Sequence, residues 1–176
     1  MADALRQDGL MGLSFWSPRA PLVLAVVALV FGIDQTHKWW MIDVYDITAK
    51  SPVVVTPFLD LVMVWNRGIS YGLFTTHTQE ILVVLSLVIA MVLWVWACRT
   101  PRPLGATALA LVIGGALGNA TDRLLRGAVA DFFHFHYQLF SWYVFNLADV
   151  AIVAGVVVLL YESLWLGERP DRRRKA

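Results

Sequence analysis

Charged residues and cysteines are both scarce in this 176-residue sequence. Asp, Glu, Lys and Arg together make up 15% of the chain, compared with about 25% in soluble domains, so much of the molecular surface is not built to face water. The lone cysteine, Cys98, excludes an intrachain disulfide and a multi-cysteine metal site. The formal net charge of +1 gives no indication of a nucleic-acid partner, and we expect none.

Apolar residues, in contrast, make up 59% of the chain. They concentrate in four runs that are long enough to cross a bilayer, since a span needs about 20 residues at a rise of about 1.5 Å each. We therefore predict an all-α membrane protein with four transmembrane helices, forming a single integral membrane domain over residues 1–176. The predicted spans cover approximately residues 20–41, 81–98, 104–121 and 142–164.

The distribution of Lys and Arg predicts how these spans are oriented. Four spans place both termini on the same side of the membrane. That side carries nine Lys and Arg residues, including the tail at 172–175, and the other side carries the remaining five of the 14. Because positive charge favours the cytoplasmic side, we expect both termini to be cytoplasmic and the segment 43–78 to be extracytoplasmic.

The segment 43–78 is predicted to contain short β-strands that lie over the helical bundle. Residues 51–56 and 59–66 are rich in Val, Leu and aromatic residues, with Pro52 and Pro57 at their borders. An irregular loop is the alternative. The fold class is therefore four transmembrane helices with a small extracytoplasmic β-segment between helices 1 and 2.

Polar residues of the spans gather at the predicted outer end of the bundle. A charged side chain inside a span costs about 2.5–3.5 kcal/mol of insertion free energy. Because these costly residues share one depth in the membrane and are not scattered over all depths, we expect them to form a common site. The spacings i,i+3 and i,i+4 also place neighbouring members on shared helix faces. The residues at this level are Asp34 and Lys38, then Asn119, Asp122 and Arg123, then Asp131, and finally Asn146 and Asp149.

Structural roles are the alternative for several of these residues. A local ion pair near the membrane interface could explain Asp34 and Lys38. A purely structural role, the connection of helices by hydrogen bonds, could explain Asn119, Asp122 and Arg123. Asp149 is harder to explain in this way, because its own helix offers no basic residue nearby.

Five short motifs resemble those of the lipoprotein signal peptidase (signal peptidase II) family. They occur in the family's order, and together on a chain with four spans they are highly specific. They are DQTHK at 34–38, NRGISYG at 66–72, GGALGN at 114–119 with Asp122 and Arg123, GAVADF at 127–132 and FNLAD at 145–149. The departures are small: Ile-Ser-Tyr at 69–71 replaces a commoner Ala-Ala-Phe type of turn, and His37 replaces a usual Thr.

The resemblance implies an intramembrane aspartic endopeptidase with Asp131 and Asp149 as the catalytic pair. It implies no metal and no organic cofactor. The implied substrates are diacylglyceryl-modified prolipoproteins, cleaved before the lipidated cysteine, with the lipid along the bundle. The implied location is the bacterial cytoplasmic (inner) membrane, with the site near the extracytoplasmic face. Asp122 matches a structural aspartate, and the residues implied to bind substrate or support the site are Asp34, Lys38, Asn66, Asn119, Arg123 and Asn146.

Two other functions remain compatible with the residues. Asp131, His134 and His136 could bind a metal ion in a metal-dependent hydrolase. A small transporter or assembly factor could also use buried Asp and Asn residues. Transport, however, usually needs polar groups across the whole membrane, and Glu162 is the only charge near the inner end of the spans.

Overall fold

Four long helices dominate the computed structural model, which describes residues 16–68 and 78–165. All four are long and apolar enough to cross a membrane. This confirms the predicted fold class. The helices are α1 (Ala20–Trp39), α3 (Thr78–Arg99), α4 (Pro103–Arg126) and α5 (Leu147–Trp165), and a short helix α2 (Ile47–Lys50) follows α1.

Helix α4 is central and packs against α1, α3 and α5. Its buried face is made largely of Gly and Ala, which lets neighbouring helix backbones approach closely and gain van der Waals contact. The approach is closest to α5. A Cβ on Gly155 would lie 2.5 Å from the carbonyl oxygen of Ala108, and a Cβ on Gly115 would overlap with that of Ala148.

A π-helical turn, Trp40–Val44, separates α1 from α2. The wider turn is closed by the N–H of Tyr45, which donates to the carbonyl of Trp40 at 2.7 Å. It directs Met41 into a small cluster with Ile47 and Phe132, all of them almost completely buried. The end of α1 is thereby fixed to the underside of the β-sheet.

The sheet has four antiparallel strands in the order β1-β2-β3-β4. Strands β1 (Val53–Thr56) and β2 (Leu59–Asn66) confirm the predicted β-segment between the first two spans. Strands β3 (Val129–Tyr137) and β4 (Phe140–Ser141) come from the connection between α4 and α5, where we predicted no strand. The sheet therefore joins two parts of the chain at one end of the bundle.

Helix α5 begins at Leu147 and not near 142 as the hydrophobic run suggested. The preceding residues are extended: Phe145 pairs with Phe133, and the N–H of Trp142 donates to the carbonyl of Phe135. This pairing with β3 holds them outside α5. The motif residues 69–72 and the basic tail at 172–175 lie outside the described residues.

Two glycines provide a matched test of the close α4–α5 contact. Gly155→Ala should lower the melting temperature in detergent, since overpacking a fitted contact costs about 1–3 kcal/mol. Gly32→Ala is the control, because a Cβ there meets nothing within 4 Å. Thermal unfolding measures the melting temperature of both variants. An equal change in melting temperature would contradict the close α4–α5 contact.

Candidate active site

The polar residues predicted at one level do converge, at the end of the bundle where α4 ends and α5 begins. Asp131 lies on β3 and Asp149 lies in the first turn of α5. Both carboxylates line a single open cavity of about 1100 Å³. Asp131 is 1% exposed, so its carboxyl group is almost completely buried in the wall of this cavity.

Asn146 connects the two carboxylates. Its Nδ2 donates to Asp131 Oδ1 at 2.6 Å, and its side-chain oxygen accepts from the backbone N–H of Asp149 at 3.0 Å. In return, the backbone N–H of Asn146 donates to Asp149 Oδ2 at 3.2 Å. Asn146 and Asp149 therefore form a reciprocal capping box that begins α5. The hydrogen bonds that start this helix are also those that position the pair.

Each carboxylate has a second amide donor from another element. Asn66 Nδ2 donates to Asp131 Oδ2 at 3.0 Å, and Asn119 Nδ2 donates to Asp149 Oδ1 at 2.8 Å. Every carboxylate oxygen of the pair thus accepts a hydrogen bond. Amide donors hold the carboxylates in place without adding a formal charge to the site.

A β-bulge in β2 brings Asn66 to Asp131. Leu61 pairs with Phe133, but Val64 pairs with Asp131, so β2 contains one residue more than β3 in this stretch. Because side chains alternate between faces, this extra residue puts Asn66 on the face of Asp131. The N–H of Met63, in the bulge, donates to Ser51 Oγ at 3.0 Å.

The ammonium group of Lys38 is completely buried beneath the pair. Its Nζ lies 2.9 Å from Asp34 Oδ2 and 2.8 Å from Asp122 Oδ2. It also donates to Asn119 Oδ1 at 3.3 Å. A buried charge is tolerated only when it is paired and hydrogen-bonded, so the two carboxylates allow Lys38 to occupy this position.

The two partners of Lys38 also tie other elements to the site. Asp34 Oδ1 accepts from the backbone N–H of Ala148 in the first turn of α5. Asp122 accepts from the backbone N–H of Ala130 on β3 and from Arg126 Nη1, at 3.2 and 2.8 Å. Asp34 and Asp122 therefore connect α5 and β3 to the buried ammonium group.

Arg123 supports the end of α4 near the same group. Its Nη1 donates to the carbonyl of Asn119 at 3.2 Å, while its Nε is buried without a hydrogen-bond partner. Its charge is close enough to interact with both Asp131 and Asp149. Arg123 therefore adds positive potential beside the two carboxylates.

Burial raises the pKa of the Asp131 carboxyl group to about 6. The hydrogen bond from Asn66 favours the ionised form and opposes this shift, whereas the negative charge of Asp149 adds to it. A carboxyl group with such a pKa exchanges its proton near neutral pH, as a general acid or base must.

The geometry does not support a metal site on Asp131, His134 and His136. Asp131 is separated from the two histidines by odd numbers of strand positions, so it faces the opposite side of β3. His134 Nε2 is hydrogen-bonded to Ser141 Oγ, and His136 Nε2 lies 3.1 Å from Asp60 Oδ2. Within residues 16–68 and 78–165, no group of three or more His, Cys, Asp or Glu residues could hold a metal ion.

Sequence reasoning missed several residues that shape the site. Gln35 donates to Asp34 Oδ2 and to the carbonyl of Gly118, linking α1 to α4. Its place in the DQTHK motif was the available signal. The apolar wall of the cavity was also missed, because its members are indistinguishable from ordinary membrane-facing residues: Trp142, Tyr143, Val150, Val153 and Ala154.

Comparison with known proteins identifies close relatives. The family model described as "Signal peptidase (SPase) II" matches residues 26–165. The lipoprotein signal peptidase of Methylocella silvestris is 52% identical over 154 residues, which cover 85% of this chain and 88% of the relative. The lipoprotein signal peptidase of Nitrobacter hamburgensis is 49% identical over 152 residues, which cover 82% of this chain and 92% of the relative.

The fold also matches solved structures. A bacterial membrane enzyme determined by the in meso method at 1.9 Å resolution superposes with a TM-score of 0.69 and 23% identity, covering 82% of this chain and 94% of the other. A second such structure, at 2.3 Å resolution, gives a TM-score of 0.66 and 21% identity, covering 85% of this chain and 93% of the other. At this identity the likeness concerns the fold alone.

Removing the buried cation should destabilise the protein strongly. Lys38→Met leaves Asp34 and Asp122 without their shared partner, and breaking such buried pairs costs about 3–5 kcal/mol. Lys50→Met is the control, because exposed Lys50 only donates to a backbone carbonyl and contacts the ring of Tyr45. Denaturant unfolding in detergent measures the free energy of unfolding of both variants. A similar loss of stability in Lys38→Met and Lys50→Met would contradict the buried pairing.

The raised pKa of Asp131 predicts a specific dependence of stability on pH. Between about pH 4 and about pH 6 the folded protein retains a proton on Asp131 that the unfolded chain releases, so the free energy of unfolding falls as pH rises through this range. Asp131→Asn should lack this decrease, and the exposed Asp43→Asn should retain it. Parallel pH profiles for the unchanged protein and Asp131→Asn would contradict the shift.

Proposed function

The chain belongs to the signal peptidase II family, and we propose that Asp131 and Asp149 make it an intramembrane aspartic endopeptidase. The family cleaves prolipoprotein signal peptides, and this chain is accordingly a multi-pass bacterial membrane protease. The proposal adds the catalytic type and the scissile bond. The substrates are diacylglyceryl-modified prolipoproteins, and cleavage removes the signal peptide just before the lipidated cysteine.

The observation that carries this proposal is the shared cavity of two carboxylates bridged by one amide. Two carboxylates held in one site do not both ionise readily, so they titrate as a unit that retains one proton. The raised pKa of Asp131 favours the proton there. Asp149 Oδ2 accepts a hydrogen bond from the backbone N–H of Asn146 at the start of α5, and we assign the role of proton acceptor to Asp149.

This division of roles suits peptide hydrolysis by water. The oxygen of a water molecule attacks the carbonyl carbon while Asp149 accepts a proton from that water. Asp131 donates a proton to the carbonyl oxygen. The tetrahedral intermediate then collapses. The C–N bond breaks as the proton held by Asp149 passes to the leaving amine, and the carbonyl oxygen returns its proton to Asp131. No step requires a metal ion or an organic cofactor.

The shape of the cavity fits a substrate that is anchored in the membrane. Asp149 lies at the membrane-surface end of α5, and the apolar residues Val150, Val153 and Ala154 continue the cavity along that helix. A signal helix and the acyl chains of the modified cysteine would meet this apolar wall, while the scissile bond lies between the carboxylates.

The orientation of the protein follows from the same proposal. Precursors of this kind are cleaved after export, so the site would lie near the extracytoplasmic face of the bacterial inner membrane. Both termini would then be cytoplasmic, in agreement with the nine Lys and Arg residues on that side. The β-sheet above the cavity would cover the substrate where its chain leaves the bilayer.

Isosteric substitution tests the catalytic pair. Asp131→Asn and Asp149→Asn should each reduce the cleavage rate of a lipidated precursor by at least about 10³-fold, because each removes a group that transfers a proton. Asp43→Asn, an exposed carboxylate outside the site, should keep normal activity. Thermal unfolding establishes that the variants are folded.

The same assay tests the substrate. A precursor whose cysteine lacks the diacylglyceryl group should be cleaved far more slowly than the lipidated form by the unchanged protein. Normal activity in either aspartate variant would overturn the catalytic pair, whereas equal cleavage of both precursors would overturn only the substrate assignment.

A further inference from the structure

A second cavity, of about 660 Å³, lies at the opposite end of the bundle from the carboxylate pair. It is formed where α3 ends, α4 begins and α5 ends. Along α4, the distance from Asp122 to Gly105 is about 25 Å at about 1.5 Å per residue. The two cavities therefore lie at opposite surfaces of the membrane, and the peptidase chemistry makes no use of this one.

The cavity contains one cationic and one anionic side chain. Arg102 Nη1 lies 3.8 Å from Glu162 Oε1, which is a long distance for an ion pair. The Arg102 side chain is 44% exposed, whereas that of Glu162 is only 13% exposed. The two charges are thus close enough to act on one zwitterionic ligand, and they are not locked together by a tight hydrogen bond.

The position of Glu162 depends on the bare backbone of α4. A Cβ on Gly105 would overlap with Glu162 Oε2, so glycine leaves the space that the carboxylate occupies. This contact directs one oxygen towards the first turn of α4 and leaves the other towards Arg102. An acidic side chain is therefore held at a defined place in a largely apolar span, where charges are costly.

The remaining wall of the cavity is apolar and continues into the membrane-facing surface. Leu109 forms part of the buried core, while Val156 and Leu160 on α5 are exposed to the surrounding lipid. Trp96, at the end of α3, is also exposed and lies at the level where indole rings favour the membrane interface. The cavity therefore opens towards both headgroups and acyl chains.

We propose that this cavity binds a phospholipid that carries a phosphate and a primary ammonium group, as an ethanolamine headgroup does. The phosphate lies against Arg102, the ammonium donates to Glu162, and the upper part of an acyl chain follows Val156 and Leu160. A guanidinium group is suited to phosphate, and a nearly buried carboxylate is suited to an ammonium with three N–H donors. A choline headgroup has no such donors.

The test compares lipids that differ only in the headgroup. Native mass spectrometry of the purified full chain, with ethanolamine, choline and glycerol phospholipids of identical acyl chains, measures their relative binding. The unchanged protein should retain the ethanolamine lipid about tenfold better than the choline lipid, the difference expected for a charged hydrogen bond. Glycerophosphoethanolamine and inorganic phosphate should compete only weakly, since both lack acyl chains.

Two variants and one control separate the contributions of the two charges. Glu162→Gln should abolish the preference for ethanolamine over choline but retain binding of both lipids. Arg102→Gln should weaken the binding of both lipids to a similar degree. Arg99→Gln is the control, because Arg99 is an exposed base at the same end that does not line the cavity.

Several outcomes would overturn the proposal. They are equal retention of ethanolamine and choline lipids by the unchanged protein, a preference that survives in Glu162→Gln, and stronger binding of the glycerol lipid. Binding of inorganic phosphate as tight as that of the lipid would indicate a simple anion site instead. The comparison of lipids on the unchanged protein decides the matter even if Glu162→Gln does not fold.

Discussion

The burial of one ammonium group between two carboxylates is the constraint on which the site depends. Lys38 on α1 must be neutralised within the membrane, and Asp34 with Asp122 does so. Those carboxylates also accept backbone N–H groups from α5 and from β3. The ammonium further requires the oxygen of Asn119, so the amide nitrogen of Asn119 is left to face Asp149. One buried charge thus fixes both the helix positions and the direction of an amide.

The two cavity carboxylates gain different properties because they lie on different kinds of element. Asp131 projects from a buried strand, where desolvation raises its pKa. Asp149 lies in the first turn of α5, where it accepts a hydrogen bond from the backbone N–H of Asn146. Asn146 donates to Asp131 and caps the helix that carries Asp149, so this one side chain links the two carboxylates. The proposed division into acid and base follows from these local environments.

The sequence predicts the four spans and the convergence of their polar residues, because hydrophobic length and helical spacing are local properties. It does not predict β3, which forms by pairing with the sequence-distant strand β2. It also does not predict the later start of α5, which depends on pairing between Phe133 and Phe145. The bulge that turns Asn66 towards Asp131 is equally hidden, since it arises from register between distant strands. The choice of Asp131 and Asp149 among the carboxylates rested on family motifs, and the structure adds the hydrogen bonds that distinguish them.

The central claim is that Asp131 and Asp149 act on the same peptide carbonyl. The most direct measurement is an experimental structure with a substrate-like peptide in which a secondary alcohol replaces the scissile amide, since this group mimics the tetrahedral intermediate. We expect the alcohol oxygen to lie within hydrogen-bonding distance of both carboxylates, with the apolar part of the ligand along α5. An alcohol that contacts only one carboxylate, or that reaches the protein through a bound metal ion, would contradict it.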